Sequence, residues 1–360
     1  MRQALFAQTR ENGQVECQLC AHYCRLKPGQ TGPCQVRHNV GGALVTSSYG
    51  RPVFMALEPI EKKYLFHAFP GSQTLSLGTA GCNFGCKYCI NWRVSQRGND
   101  GTEAEHAPEA IIEQALAQHA ECIALTYTEP TIFFEYAQDI ALLAHQAGLA
   151  VVAKSNGYMT PAVLREMASW LDAINIDLKS WDETKHRQTA GGRLQPVLEN
   201  LRVAAQLGLW TEVSTLIVPG LNDTRHDLQQ IASFISTELG PEVPWHLLRF
   251  YPHYQMLDQV VTSRTLIQQA VESGLKAGLR HIYTKELALG QMLHTVCSRC
   301  NTILIERKGY SVISNNLLHG CCRHCGQPLK GIGLSGSQPV RLAAHTQEDT
   351  AWQNNQLPAM

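Results

Sequence analysis

Cysteines are the residues of this chain best able to do chemistry, and their spacing divides them into sets. Of the 13 cysteines, all but Cys122 fall into three clusters, which lie near residues 17–34, 82–89 and 297–325. Cysteines that act as small apolar core residues are scattered along a chain, whereas thiolates that bind metal are grouped. The grouping therefore predicts three metal sites.

The central cluster, Cys82-x-x-x-Cys86-x-x-Cys89, places three thiols within eight residues, directly after a predicted strand. Three thiolates at this spacing can each bind one iron of a four-iron cluster, which leaves the fourth iron without a protein ligand. An open metal position is where a substrate or cosubstrate binds, as it does at catalytic zinc. The pattern favours a catalytic iron–sulfur site. A zinc knuckle that takes its fourth ligand from elsewhere in the chain is the alternative.

The C-terminal cluster contains two Cys-x-x-Cys pairs separated by 21 residues. A predicted β-hairpin lies between the pairs, so four thiolates can close into the tetrahedron of a structural zinc site. This predicts a zinc-ribbon-like module on Cys297, Cys300, Cys322 and Cys325. A second four-iron cluster is the alternative, because thiolates suit both metals. Cys321 could compete with Cys322, but only Cys322 stands at the Cys-x-x-Cys spacing.

The N-terminal cluster supplies four thiols, from Cys17, Cys20, Cys24 and Cys34, and His22 lies among them. Four cysteines complete the ligand count of either a zinc ion or an iron–sulfur cluster. His22 is therefore expected beside the metal rather than bound to it. Zinc and an auxiliary iron–sulfur cluster both remain open here.

Between the clusters, short β-type segments alternate with helical patterns. The alternation predicts parallel βαβ units, fewer than the eight of a complete barrel, and hence an α/β fold with a partial (β/α) TIM-type barrel. The predicted strands cover residues 74–78, 122–127, 149–153, 173–178, 212–218, 245–250 and 280–283. One predicted helix begins at Pro108, and others cover residues 133–147, 162–170, 194–207, 225–239 and 263–277.

The composition divides the chain into four expected parts. Residues 1–70 form a Cys-rich N-terminal module, residues 71–290 the partial barrel, and residues 291–333 the zinc-ribbon-like module. Residues 334–360 are polar and lack apolar periodicity, which predicts a disordered tail.

Polar clusters follow the predicted strands, at the barrel edge where active sites gather. They include Thr128-Glu129-Pro130, Ser155-Asn156-Gly157 and Asp177-Leu178-Lys179. The pair Asn222-Asp223 is interpreted instead as the N-cap of the next helix. Lys62-Lys63 is expected to be a solvated pair.

The central motif, with Tyr88 in the aromatic position of Cys-x-x-x-Cys-x-aromatic-Cys, resembles the signature of the radical S-adenosylmethionine (radical SAM) superfamily. The N-terminal Cys-x-x-Cys-x-His-x-Cys pattern and the terminal cysteine ribbon are similar to the radical SAM member of the AmmeMemoRadiSam system. That group resembles pyruvate formate-lyase activating enzymes. The resemblance covers residues 15–333.

This resemblance implies particular roles at the strand ends. Cys82, Cys86 and Cys89 would hold a 4Fe-4S cluster whose open iron binds S-adenosylmethionine (SAM). Glu129 would contact the SAM amino group, where a carboxylate suits an ammonium. The remaining implied SAM contacts are Tyr88, Asn156, Gly157, Asp177 and Lys179.

The resemblance implies an oxidoreductase that uses one electron from an external flavodoxin- or ferredoxin-type reductant. SAM would be cleaved to methionine and a 5′-deoxyadenosyl radical, which abstracts hydrogen from an unidentified small-molecule or protein substrate. A glycyl-radical-enzyme activase acting on a protein glycine is one alternative. A non-catalytic metal scaffold or electron carrier is the other.

Charge and hydropathy exclude several other classes of protein. Thirty Lys and Arg residues balance thirty Asp and Glu residues, so the formal net charge is 0. This balance argues against nucleic acid or an anionic membrane as a partner. No apolar run is long enough to span a membrane, and the start lacks the apolar core of a secretory signal. A cytoplasmic location is expected.

Overall fold

The computed structural model describes residues 1–99, 101–286 and 291–334. Its N-terminal part contains two three-stranded antiparallel sheets, with strand orders β1-β6-β5 and β2-β3-β4. The strands are β1 (Arg2–Gln3), β2 (Ala7–Thr9), β3 (Val15–Cys17), β4 (Arg25–Leu26), β5 (Arg37–Val40) and β6 (Ala43–Thr46). A 3-10 helix, Glu11–Gly13, joins β2 to β3. Because the strands are short, most of the N-terminal cysteines lie in the loops between them.

An eight-stranded sheet forms the centre of the fold. Its strands are β7 (Pro52–Pro59), β8 (Gln73–Thr79), β9 (Cys122–Leu125), β10 (Ala150–Ser155), β11 (Ala173–Asp177), β12 (Trp210–Ile217), β13 (Trp245–Arg249) and β14 (Ile282–Tyr283). The strands pair in chain order, and only β7 runs antiparallel to its neighbour. The strands from β8 to β14 are parallel, so their carboxyl ends share one edge of the sheet.

Helices connect the parallel strands, and their ends follow local rules. They are α1 (Trp92–Ser95), α2 (Pro108–Ala117), α3 (Phe134–Gln146), α4 (Pro161–Met167), α5 (Glu183–Ala190), α6 (Gln195–Gln206), α7 (Arg225–Phe234) and α8 (Arg264–Lys276). A 3-10 helix, Pro130–Phe133, precedes α3, and a π-helix, Ile235–Leu239, continues α7. Thr160 and Ser263 cap α4 and α8 by accepting a backbone N–H. No helix of the described residues is long and apolar enough to cross a membrane.

The C-terminal module has its own small sheets and core. After a 3-10 helix, Gln291–Leu293, come β15 (Thr295–Val296), β16 (Ile303–Lys308), β17 (Ser311–Asn315), β18 (Leu317–Leu318) and β19 (Cys321–Cys322). The first three form an antiparallel sheet, and the last two pair separately. Leu304, Ile305 and Val312 pack with the neighbouring cysteines into a core separate from that of the main sheet. The predicted hairpin is confirmed.

Residues 60–72, which we call the floor segment, lie across the amino ends of the central strands. The segment begins with a 3-10 helix, Ile60–Lys63. Its residues Ile60, Leu65 and Ala68 are buried with side chains from the starts of β9, β10 and β11. It also meets the C-terminal module, where the Phe69 N–H donates to the Ile332 carbonyl at 2.9 Å. The sheet is thus closed on the side opposite to its carboxyl edge.

The structure confirms every predicted strand and helix to within a few residues, and it corrects three expectations. It adds β7, α1 and α5, which the sequence patterns did not predict. The predicted Asn222-Asp223 cap is wrong, because Thr224 caps α7 by accepting the Asp227 N–H. Lys63 is buried and paired with Glu58 rather than solvated. Apart from Leu334, the predicted disordered tail lies outside the described residues.

Candidate functional site

The loop that carries the central cysteines lies between β8 and α1, at the carboxyl edge of the sheet. The end of α5 holds this loop from one side, because Gly85 N–H donates to Ala190 and Lys87 N–H to Thr189, each at 2.9 Å. On the other side, Gly81 N–H donates to the Val94 carbonyl at 2.9 Å. The backbone around the three cysteines is therefore fixed by contacts from two helices.

Cys82, Cys86 and Cys89 lie among groups that favour a thiolate and groups that oppose it. The Phe84 N–H lies 3.4 Å from the Cys82 sulfur, and Ser95 Oγ lies 3.3 Å from that of Cys89. Burial raises the pKa of the Cys86 thiol to about 12, although the nearby Lys179 ammonium opposes this shift. The pKa of the Cys82 thiol is also raised, mainly by burial and secondly by the Glu129 carboxylate.

These thiols fit an iron–sulfur cluster. They influence one another electrostatically, and burial opposes their ionisation unless a cation balances the thiolate charge. The amide nitrogen of Asn83 is buried and, within the described part of the chain, has no hydrogen-bond partner. A donor is thus left beside Cys82 for a group that binds there.

Glu129 lies beyond the end of β9 and is fully buried. Its Oε1 accepts hydrogen bonds from the Thr131 hydroxyl at 2.6 Å and the Ser155 hydroxyl at 2.8 Å. Its Oε2 accepts the Asn156 N–H at 2.8 Å. Burial raises the pKa of Glu129, while these donors favour the carboxylate. Glu129 therefore joins the ends of β9 and β10, and its contact with the SAM amino group stays a prediction.

Asn156 and Gly157 follow β10 and reach the cysteine loop. The Asn156 amide nitrogen donates to the Asn83 side chain at 2.7 Å and lies 3.9 Å from the Cys82 sulfur. Gly157 has a φ of +71°, and a Cβ there would lie 2.7 Å from Ile176 Cγ2. Only glycine fits this backbone without strain. The two residues thus fix the end of β10 against the loop of Cys82.

Asp177, at the end of β11, lies between two lysines. Its Oδ1 accepts from Lys154 Nζ and its Oδ2 from Lys179 Nζ, both at 2.8 Å. Burial opposes the ionisation of Asp177, but the two ammonium groups outweigh it and hold its pKa well below the ordinary value. Lys179 also acts electrostatically on Cys86 and Tyr88. A charged triad of Lys154, Asp177 and Lys179 therefore borders the cysteine loop.

Tyr88, in the aromatic position of the motif, is buried in the main core. The pKa of the Tyr88 hydroxyl is raised, mainly by burial and secondly by the neighbouring Cys86 thiol. The structure thus brings every sequence-predicted residue of this site to the carboxyl edge of the sheet. Their contacts with SAM remain predictions.

Sequence reasoning missed a second polar group inside the sheet. Lys63 pairs with Glu58, which also accepts the Tyr127 hydroxyl at 2.9 Å. It missed Lys154 as well, although one signal was present. Lys154 follows four apolar residues in the strand Ala150–Ser155, and a largely covered lysine in such a strand needs a partner charge.

The four C-terminal cysteines are brought together as predicted. The Cys297 and Cys325 sulfurs are 3.5 Å apart, and those of Cys300 and Cys322 are 3.7 Å apart. All four sulfurs lie within 4.8 Å of one another. A zinc ion at about 2.3 Å from each of four sulfurs holds them about 3.8 Å apart, so the set fits one metal ion. Cys321 does not belong to this set.

The three cysteines thus lie on one loop at the carboxyl edge of a parallel α/β sheet, where active sites gather in barrels of this kind. Residues 76–235 match the Radical SAM superfamily. An uncharacterized protein of Methanocaldococcus jannaschii, MJ0808, is 36% identical over 332 residues, which are 91% of this chain and 99% of that protein. The chain belongs to the radical SAM superfamily, and this family implies a 4Fe-4S cluster and SAM.

Other similar proteins include activating enzymes and GTP 3',8-cyclases. The isethionate sulfite-lyase activating enzyme of Oleidesulfovibrio alaskensis is 26% identical over 277 residues, which cover 72% of this chain and 85% of that protein. A crystal structure of a domain of pyruvate-formate lyase-activating enzyme from Bacteroides vulgatus aligns with a TM-score of 0.39 and 18% identity. It covers 46% of this chain and 100% of that domain.

Proposed function

We propose that this protein is a radical SAM enzyme that cleaves SAM reductively and abstracts hydrogen from its substrate. The observation that carries the proposal is the fixed loop of Cys82, Cys86 and Cys89 beside the charged triad. Three cysteines would hold a 4Fe-4S cluster and leave one iron free for SAM. When bound and reduced by a flavodoxin- or ferredoxin-type donor, this cluster would supply the electron for cleavage of SAM to methionine and a 5′-deoxyadenosyl radical.

The residues of this chain would bind and orient the reactants. Asn156 donates toward the Cys82 sulfur, and Lys179 places a positive charge near Cys86, so both favour the thiolate forms. Glu129 joins the ends of β9 and β10 by accepting hydrogen bonds from Ser155 and Asn156. The floor segment closes the far end of the sheet, which excludes water from that side. Direct contacts of Tyr88, Glu129, Asn156, Gly157, Asp177 and Lys179 with SAM belong to this proposal.

Two structural assignments accompany the proposal. The central sheet is interpreted as a partial (β/α) barrel, because its parallel strands follow chain order, alternate with helices and end in two edge strands. The C-terminal set is interpreted as a structural zinc site, because four thiols within 4.8 Å of one another match a closed tetrahedron. Zinc there would stabilise the module and take no part in the reaction.

The test is formation of 5′-deoxyadenosine by anaerobically purified protein, reconstituted with iron and sulfide and supplied with SAM and dithionite. We expect the wild-type chain to form it and the Cys86→Ala variant to form none. Cys122→Ala is the control, since Cys122 is also buried but stands alone in β9. A Cys86→Ala protein that still produced 5′-deoxyadenosine would refute the assignment. Iron absent from the reconstituted wild type would favour the metal-scaffold alternative.

A second candidate function is activation of a glycyl-radical enzyme, favoured by the similarity to the isethionate sulfite-lyase activating enzyme. The substrate would then be a backbone glycine of a partner protein. The expected result is a glycyl radical signal in electron paramagnetic resonance when the partner is incubated with this protein, SAM and reductant. A partner that stays silent while a small molecule is consumed would favour the first proposal.

A further inference from the structure

A pocket of about 400 Å³ opens beside the cysteine loop, between the N-terminal module and the end of α5. Its lining residues include His22, Tyr23, Gly192, Arg187 and Arg193, and none of them carries a carboxylate. The Arg187 side chain is 59% exposed and Tyr23 is 45% exposed, so the rim of the pocket reaches into solvent. The pocket is therefore an open concavity that a large partner can approach.

The turn between Cys82 and Cys86 lies against this pocket. A Cβ on Gly192 would overlap the Phe84 ring, and a Cβ on Gly191 would lie 3.3 Å from the Gly85 nitrogen. Because both glycines lack a side chain, the end of α5 packs directly on the turn. Whatever binds in the pocket thus comes close to the segment that carries two of the three central cysteines.

His22 connects the pocket to the same segment. It lies in the N-terminal module, where Cys17, Cys20 and Cys34 are buried and Cys24 is half-buried, and the metal predicted for those four cysteines stays a prediction. The Nε2 of His22 is 2.7 Å from the carbonyl oxygen of Asn83, the residue directly after Cys82. One hydrogen bond and one residue of backbone therefore join the pocket lining to a central cysteine.

Positive charge is concentrated around the pocket, although the whole chain has a formal net charge of 0. Residues 82–97 contain three basic residues and no Asp or Glu. Residues 182–193, which include α5, contain three basic residues and two acidic ones. Both acidic side chains accept backbone hydrogen bonds, Asp182 from Lys185 at 2.8 Å and Glu183 from Leu194 at 2.7 Å. The segments on this side of the cysteine loop thus carry an excess of positive charge.

Two arginines hold this charge at the rim. Arg193 is anchored at the boundary with the N-terminal module, where its Nη2 donates to the Ala21 carbonyl at 3.2 Å. Arg187 donates from Nη2 to Glu183 at 2.7 Å and still remains more than half exposed. Guanidinium groups bind carboxylates through paired hydrogen bonds, so these two side chains suit an acidic partner.

We propose that this pocket docks an acidic one-electron carrier protein, whose carboxylates contact Arg187 and Arg193. The inference rests on the proposed function, which requires an electron from outside the chain. In the docked complex the reduced carrier would lose one electron, and the cluster held by Cys82, Cys86 and Cys89 would gain it. Interfaces for such transfer are small and weak, and opposite charges on the partners speed their encounter.

The first test measures binding of an acidic flavodoxin to the full-length protein by isothermal titration calorimetry, at ionic strengths of about 0.02 M and about 0.2 M. We expect binding at low salt that weakens at high salt, and at least about tenfold weaker binding by Arg187→Glu/Arg193→Glu. Arg264→Glu/Lys276→Glu is the matched control, because it makes the same change of charge at exposed positions of α8. Equal binding by the two double variants would overturn the proposal, as would wild-type binding that salt does not weaken.

A second, neutral variant guards against misfolding. Arg187→Gln/Arg193→Gln removes the positive charges without placing new carboxylates beside Glu183, and its affinity should lie between those of the wild type and the charge-reversed protein. An affinity equal to that of the wild type would contradict the role of the two arginines.

The third measurement follows reduction of the reconstituted cluster by stopped-flow absorbance, with reduced flavodoxin and, separately, with dithionite. Dithionite is small and needs no docking surface. The ratio of the flavodoxin rate to the dithionite rate should fall at least about tenfold in Arg187→Glu/Arg193→Glu. Rates that fell equally with both reductants would overturn the proposal. Failure of the proposed function is distinguishable, because it is seen with dithionite alone, whereas flavodoxin binding requires neither cluster reduction nor SAM cleavage.

Discussion

The charged triad of Lys154, Asp177 and Lys179 allows a quantitative test of how the site is held together. We consider Asp177→Asn, which keeps the shape of the side chain and removes its charge. Both carboxylate oxygens accept an ammonium hydrogen at 2.8 Å, so the substitution leaves two lysines without their counter-ion. Two positive charges then face each other near the cysteine loop.

The expected cost follows from burial. The three side chains are between 13% and 22% exposed, so they are screened little by solvent. Removing one partner of a buried ion pair costs about 3–5 kcal/mol, and the residual exposure places this case near 3 kcal/mol. The reference is Glu238→Gln, which breaks a half-exposed pair with Arg202 and should cost less than about 0.5 kcal/mol.

The assay is urea unfolding at pH 7, followed by circular dichroism at matched iron and zinc content. Lys154→Met is combined with Asp177→Asn in a double-mutant cycle, which isolates the energy of the pair. We expect the double variant to be about 2 kcal/mol more stable than the sum of the single effects predicts. Additive effects, or an Asp177→Asn protein within about 0.5 kcal/mol of the wild type, would refute an energetic role for the triad.

The pH dependence has a definite sign. The pKa of Asp177 is lowered in the folded protein, so its stabilising contribution is fully present above the unfolded value of about 3.9. This contribution is lost only as the pH falls through the lower, folded pKa. The difference in stability between the wild type and Asp177→Asn should therefore be constant from pH 7 to pH 5 and shrink in acid.

Two further outcomes are expected. Gly157→Ala should lower the free energy of unfolding, measured in urea, by about 2–4 kcal/mol. The reason is that a residue with a Cβ is strained at this positive φ and its Cβ would meet Ile176. An unchanged free energy of unfolding would contradict the backbone geometry. Cys322→Ser should remove one zinc ion per chain and make the C-terminal module sensitive to limited proteolysis. Cys321→Ser should do neither. Full zinc retention by the Cys322→Ser protein would exclude Cys322 as a ligand.

The sequence predicted the elements whose apolar pattern is strong. Buried parallel strands such as Cys122–Leu125 form continuous apolar runs, and capped helices such as Arg264–Lys276 carry clear start signals. The strand Pro52–Pro59 was missed because it begins and ends with proline and has no regular alternation of buried residues. The helix Glu183–Ala190 was missed because it buries little more than His186 and Ala190.

For the site, the two Cys-x-x-Cys pairs predicted that Cys297, Cys300, Cys322 and Cys325 gather, and their four sulfurs do lie together. The spacing could not predict how far apart sulfurs from different loops lie, because that distance depends on how the loops pack in three dimensions. The ion pairs of Asp177 were not predicted, although Lys179 was named as a SAM contact. Lys179 is two residues away, but Lys154 comes from the neighbouring strand, where pairing register places Ser155 beside Ile176.

The contact between the floor segment and the C-terminal module affects the order in which the protein can fold. The floor segment bonds to residues near 330–332, including the His67 ring to the Lys330 carbonyl at 2.9 Å. These contacts join positions some 263 residues apart, and contacts of such long sequence separation form late. During synthesis, the floor segment therefore lacks these contacts until the ribosome has made the C-terminal module. Until then the face of the floor segment that meets this module stays exposed, which favours aggregation of the nascent chain.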